Sequence, residues 1–143
     1  MLALDLALAL RDAGLRWAPQ PGDRFVLPGR GMDDDVFVLS NMTVEVHEFP
    51  SGKVIGFNGV TEWALDSVDQ REALWMPAEH QLRELLGGLF VSLAAGAAGF
   101  EVTLHLPSGG ATFRASTAED AYGQALLAVL REVTGSLAEP TVR

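Results

Sequence analysis

The chain has 143 residues, 48% of them hydrophobic, and carries nineteen acidic against ten basic residues for a net charge of −9. That length and apolar content suit one domain with a sizeable core, while the acidic balance repels nucleic-acid phosphates and suits a basic or neutral partner. The chain lacks cysteine, which excludes disulfides, thiolate zinc sites, iron–sulfur clusters and cysteine nucleophiles and fits a cytoplasmic location. No apolar run reaches the about 20 residues of a membrane-spanning helix.

Residues 2–13 space Leu2, Leu6 and Leu10 four apart, which predicts a helix ending at Gly14. Asp5 interrupts the apolar run and no basic segment precedes it, so this stretch is read as a helix of the folded protein rather than a targeting segment. Trp17, Pro19 and Pro21 form an extended connector, and the Pro21-Gly22-Asp23 corner leads into a strand at Arg24–Leu27. A Gly- and Asp-rich loop follows from Pro28 to Asp35. Val36–Leu39 is apolar on both sides, which predicts a central strand with both faces covered.

A four-residue turn at Phe49-Pro50-Ser51-Gly52 sets Glu48 opposite Lys53, Val46 opposite Ile55 and Val44 opposite Phe57. Thr61 then caps a short helical turn through Trp63, Ala64 and Leu65, followed by a polar segment from Asp66 to Arg71. Glu72–Met76 reads as a short strand that stops at Pro77, where a helix begins. Leu82, Leu85, Leu86, Leu89, Phe90 and Leu93 lie on one helical face, predicting a helix through Leu93 whose stripe faces a sheet. Gly87-Gly88 lies off that stripe. Each glycine costs about 1 kcal/mol against alanine in a helix, so the pair marks a bend or a place where another backbone approaches.

Ala94–Gly99 reads as a small-residue linker and the place for a subdomain break. Val102, Leu104 and Leu106 alternate with Glu101, Thr103 and His105; Pro107-Ser108-Gly109-Gly110 turns the chain, and Ala111, Phe113 and Ala115 return on the same apolar face. Ser116 with Glu119, or Thr117 with Asp120, offers a capping box for a last helix striped by Ala118, Ala121, Tyr122, Ala125, Leu126, Val129 and Val133 and closed by Gly135. The expected fold is a single α+β domain, a mainly antiparallel sheet with three main helices packed largely on one face.

Candidate chemistry is sparse. His47, His80 and His105 are isolated from one another, and the alternation around His47 and His105 predicts polar-face residues rather than metal ligands. Glu45 lies two residues from His47 on one strand face, and Glu62 shares a helix face with Asp66. These four residues are the candidates for an acid–base pocket, should they converge. Asp33-Asp34-Asp35 is the densest charge cluster, but counting from Asp33 finds no calcium-loop spacing, and it reads as a solvated loop. No serine stands in a nucleophile elbow, Gly29-Arg30-Gly31 opens no helix, and no cofactor or metal is implied. Trp63, between Glu62 and Asp66 beside an Asn-Gly turn, is the candidate binding residue, and Trp75 reads as core.

The stretches WAPQPGDRFVLP at 17–28, DDDVFVLSNMTVEVH at 33–47, FNGVTEWALDSV at 57–68 and LWMPAEHQLRELLG at 74–87 resemble a family of small uncharacterised bacterial proteins. The resemblance covers most of the chain and brings no reaction, cofactor or site residue. Residues 100–130, a hairpin followed by Ser-Thr-Ala-Glu-Asp-Ala and an Ala/Leu-rich helix, resemble the end of HicB-type antitoxins. The expectation is therefore a non-enzymatic domain that binds a protein partner or its own copy, with a small hydrolase using Glu45, His47, Glu62 or Asp66 as the alternative.

Overall fold

A computed structural model describes residues 1–29, 32–39, 45–49, 52–56, 67–69 and 72–138. Among the described residues the fold is α+β with antiparallel sheets and three α-helices. In chain order the elements are α1 (Leu4–Asp12), β1 (Arg24–Leu27), β2 (Met32–Val38), β3 (Glu45–Phe49), β4 (Gly52–Gly56), β5 (Ser67–Asp69), β6 (Leu74–Trp75), α2 (Glu79–Leu86), β7 (Phe90–Gly96), β8 (Gly99–Leu106), β9 (Gly109–Ala115) and α3 (Ala118–Ala138). The chain divides into two compact units, one of residues 1–16 and 78–143 and the other of residues 17–77.

Among its described residues the unit of 17–77 contains two three-stranded sheets, ordered β2-β1-β6 and β3-β4-β5. Phe25, Leu27, Leu39 and Ala73 form a core cluster, with Trp17 and Phe37 packed against it. Phe25 is its centre: the Trp17 ring lies 5.5 Å away and the Phe37 ring stacks at 5.4 Å. The connector that carries Trp17 is fastened by Asp23, a buried carboxylate 4% exposed. It accepts the Trp17 indole N–H at 2.8 Å and the Gln20 amide at 3.0 Å. Beside it, Gly22 N–H donates to the Leu39 carbonyl and Leu39 N–H to the Asp23 carbonyl, so the corner also holds the end of β2. Burying a carboxylate is unfavourable without such donors.

Several expectations are corrected in this unit. Val36–Leu39 was expected as a central strand, yet β2 starts at Met32 and lies at the edge of its sheet, with Val36 37% and Val38 61% exposed. Asp33–Asp35 consequently sit in a strand and not in a loop. Residues 67–69 of the polar segment form β5, which pairs with β4. The hairpin register holds where it is described, with Glu48 opposite Lys53 and Val46 opposite Ile55; the Val44–Phe57 pair and the helical turn at 61–65 lie outside the described residues. Trp75 pairs with Phe25 across β6 and β1, and its buried indole N–H has no hydrogen-bond partner among the described residues.

The other unit holds α1, α2, α3 and the sheet β7-β8-β9. Its hairpin follows the sequence pattern: Val102 faces Phe113, Leu104 faces Ala111 and Phe100 faces Ala115. Val102, Leu104 and Leu106 are buried, whereas His105 between them is exposed, as the alternation requires. α3 lies against β8 and β9 through Ala118, Ala121, Tyr122, Ala125 and Leu126, and α1 and α2 pack against α3. The Asp120 amide donates to Thr117 Oγ1 at 3.1 Å, but the Asp120 carboxylate turns away to accept the Ala3 amide at 2.8 Å, so the expected capping box is half made. α3 continues through Gly135 to Ala138 instead of closing there, and Val133 of the expected stripe is 53% exposed.

α1 ends as expected. Gly14 N–H bonds to the Arg11 carbonyl and Leu15 N–H to the Leu10 carbonyl, the pair of contacts that a C′ glycine allows. α2 starts after Pro77 with Gln81 Oε1 accepting the Ala78 amide at 2.9 Å, but it stops at Leu86, short of the expected Leu93. Gly87, at φ 57° and ψ −134°, ends it. A short 3-10 turn at Gly87–Leu89 then feeds β7. The glycine pair therefore marks a bend. A side chain at Gly87 or Gly88 would meet nothing within 4 Å.

Close approaches occur elsewhere. A Cβ on Gly99 would collide with the Ala115 carbonyl oxygen, and one on Gly123 would lie 2.7 Å from both Leu2 Cδ1 and Leu6 Cδ2. Ala94–Gly99, expected as a linker, is the end of β7 and the turn into β8, with Ala94 opposite Glu101 and Gly96 opposite Gly99. Of the helix stripe, Leu82 and Leu86 are buried in a helix that packs on α3, and Leu85 is 44% exposed.

Two stability measurements check these packing arguments. Asp23→Ala should cost about 2 kcal/mol in chemical denaturation, because the half-buried Trp17 indole and the Gln20 amide lose a charged acceptor. Trp17→Phe should cost less, and the double variant should fall short of the sum by about 1 kcal/mol. Gly123→Ala gains about 1 kcal/mol of helix propensity but overpacks the α1–α3 contact by about 1–3 kcal/mol, so its denaturation midpoint should drop. A raised midpoint would contradict the close approach.

Candidate interaction surface

A helix with its side chains is about 10 Å across and strands are about 4.8 Å apart, so one helix covers about two strands. α3 takes β8 and β9. Among the described residues β7 is hydrogen-bonded to β8 along one side and forms the sheet edge on the other. Within it Val91 is 57% exposed, and Ser92, Ala94, Ala95 and Gly96 are exposed as well. Residues 85–100 are the longest stretch of the chain without Asp, Glu, Lys or Arg. The opposite edge, β9, presents Arg114, which pairs with Glu101 on β8.

The strand is anchored by side chains at its start and by pairing with β8 beyond it. Phe90 is held by the Tyr122 ring at 5.7 Å and by the Arg83 guanidinium, whose central carbon lies 4.5 Å from the ring centroid. A register shift between Phe90 and Ser92 then displaces Val91 from the regular ladder. From Ser92 onward the side chains are small except for half-buried Leu93. Near the end of the strand a shallow hollow of about 180 Å³ is lined by Ala95, Gly96, Ala98, Phe100, Glu101 and Arg114.

The sheet face opposite α3 carries Ser92, Thr103 and Thr112 in one row across the three strands, then Ala94, Glu101 and Arg114 in the next. His105 is exposed on this face, and His80 is exposed on α2. A second hollow, about 440 Å³, opens between the starts of α1 and α3, bordered by Asp5, Leu6, Ser116, Asp120 and Gln124. Asp120 is already committed there to the Ala3 amide.

The pocket candidates are not brought together by what is described. Glu45 and His47 lie on β3, with Gly56 and Val54 as their cross-strand partners, while Glu62, Trp63 and Asp66 lie outside the described residues. Among the described residues no group of three His, Asp or Glu side chains is placed to hold a metal ion. No described helix is long and apolar enough to cross a membrane. Sequence reasoning missed the β7 edge because Leu89, Phe90 and Leu93 extend a helical period, although Gly87-Gly88 and the β-favouring Phe-Val pair signalled a change of element. It also missed the Trp17–Asp23 hydrogen bond, whose residues were singled out only as a connector and a corner. Comparison with protein-family models, curated proteins and solved structures finds no match.

Tyr122 offers a spectroscopic handle on the anchor of β7, since it is the chain's one tyrosine. Burial pushes its phenol pKa above the ordinary value, with Arg83 opposing and Glu79 adding to the rise. The folded chain thus holds a proton that the unfolded chain releases above about pH 10. This contribution to stability is complete below that pH and is lost as pH rises through the folded-state value. Tyrosinate absorbance should appear at higher pH in the folded than in the denatured chain, and Tyr122→Phe should flatten the alkaline loss of stability.

Proposed function

We propose that the chain is a non-enzymatic, cytoplasmic bacterial interaction domain that binds a protein partner by strand pairing at β7. The exposed, uncharged β7 edge carries this reading. An edge strand offers a row of unpaired N–H and C=O groups that an added strand satisfies, and pockets beside it supply side-chain selectivity. Natural edges are commonly blunted by lysine, proline or inward charge, and residues 90–96 contain none of these. The net charge of −9 favours a partner that is basic away from the paired strand. The strand–strand–helix run at residues 100–130 supports an antitoxin-like version, in which that partner is a toxin encoded nearby.

Site-specific photocrosslinking in the native host tests this role. A photoreactive residue at Ser92, on the edge strand, should yield polypeptide adducts. The same residue at His105, exposed on the central strand of the same face, should yield few. Equal adducts at both positions, or none at Ser92, would remove the edge from the binding surface.

A further inference from the structure

We infer that the strand added at β7 carries a lysine or arginine opposite Ala94, and that this side chain crosses Ala94 to reach the Glu101 carboxylate on β8. This rests on the strand-pairing reading above and specifies the chemistry of the added strand. Glu101 is the only acidic residue in the three strands of this sheet, and Arg114 is the only lysine or arginine. The two stand opposite each other on β8 and β9, and Ala94 stands opposite Glu101 on β7. From the β7 edge inward the row is therefore Ala94, Glu101, Arg114, with the smallest side chain at the edge.

Neighbouring strands lie about 4.8 Å apart, so a residue opposite Ala94 on an added strand has its Cα about 10 Å from that of Glu101. A short side chain falls short of the carboxylate, whereas a lysine or arginine stem lying over the alanine methyl spans the gap. Residues directly opposite in a pair share a sheet face, so the added side chain lies on the same side as Glu101. That end of the sheet has room for it: the hollow of about 180 Å³ is lined by Ala94, Gly96, Phe100, Glu101 and Arg114. Ser92, which faces the same way on β7, stands opposite Thr103 and offers no charge.

Glu101 can serve two cations. Arg114 Nε donates to its Oε2, which leaves Oε1 for a second donor. Arg114 is exposed, and a cross-strand pair of this kind contributes little to stability. A cation arriving at the edge is also favoured by the field of a chain carrying −9.

Random peptides displayed on phage and selected on the purified full chain provide the test. The peptides recovered should share one lysine or arginine among β-favouring residues and should protect the amides of residues 92–96 from exchange. Glu101→Gln should weaken such a peptide about fivefold, and Arg114→Ala, which removes the competing cation, should tighten it about twofold. Both variants break the same intramolecular pair, so a purely structural role for that pair would move the two affinities in one direction. Asp12→Asn makes the same change of net charge at the exposed end of α1 and should leave the affinity as it was.

Peptides that protect residues 92–96 but share no basic residue, or that bind Glu101→Gln as tightly as the parent, would overturn the contact with Glu101 and leave strand pairing at β7 standing. Affinities that fall together for Glu101→Gln and Arg114→Ala, or for Glu101→Gln and Asp12→Asn, would do the same. Recovery of no peptide, with no photoadduct at Ser92, would overturn both.

Discussion

One helix cannot cover three strands. In the unit that holds the helices, α3 lies on β8 and β9, and its contact with β7 runs through Tyr122 and Phe90 at the start of that strand. Val102 and Leu104 on the middle strand are fully buried, whereas Leu93 on β7 is half-exposed and Val91 is 57% exposed. The other two helices spend their apolar faces on α3, where Gly123 lets Leu2 and Leu6 approach closely. The exposed edge is thus a consequence of how the apolar surface is distributed, and a binding role for it needs no conformational change.

What distinguishes this edge is its composition. An acidic chain gains solubility from self-repulsion, but it loses that protection along any stretch without charge. Residues 85–100 are such a stretch, and they include the whole of β7. The displaced Val91 limits pairing at one end, and the turn before Gly99 limits it at the other. A short, bounded edge limits open-ended growth by strand addition. The candidate pocket residues have a weaker basis, since Glu45 and His47 are related by strand position alone.

The sequence was most legible where one periodicity acted alone. Residues 100–115 alternate cleanly, and their hairpin formed in the expected register. Gly14 after an apolar helix stripe gave a correctly placed end, because few residues other than glycine terminate a helix in that way. Errors arose where two patterns overlapped. Leu82 through Leu93 satisfy a helical stripe, but Gly87 breaks the backbone path after Leu86, and Leu89, Phe90 and Leu93 belong to other elements. Ala94–Gly99 has side chains too small to show alternation, so half a hairpin looked like a linker. Asp33–Asp35 have low strand propensity, yet they lie in β2 between its paired ends, Met32 opposite Leu27 and Phe37 opposite Phe25. The motif around Trp17 and Asp23 turned out to be a structural fastening rather than a site, a distinction carried by burial and invisible in composition.

We propose that the outer side of β7 pairs with a strand of the partner. Amide hydrogen exchange with and without extract of the native host reads this directly. Protection of residues 92–96 should increase in the extract while that of β8, already paired on both sides, stays constant. Exchange of residues 92–96 that is the same with and without extract would contradict strand pairing at β7.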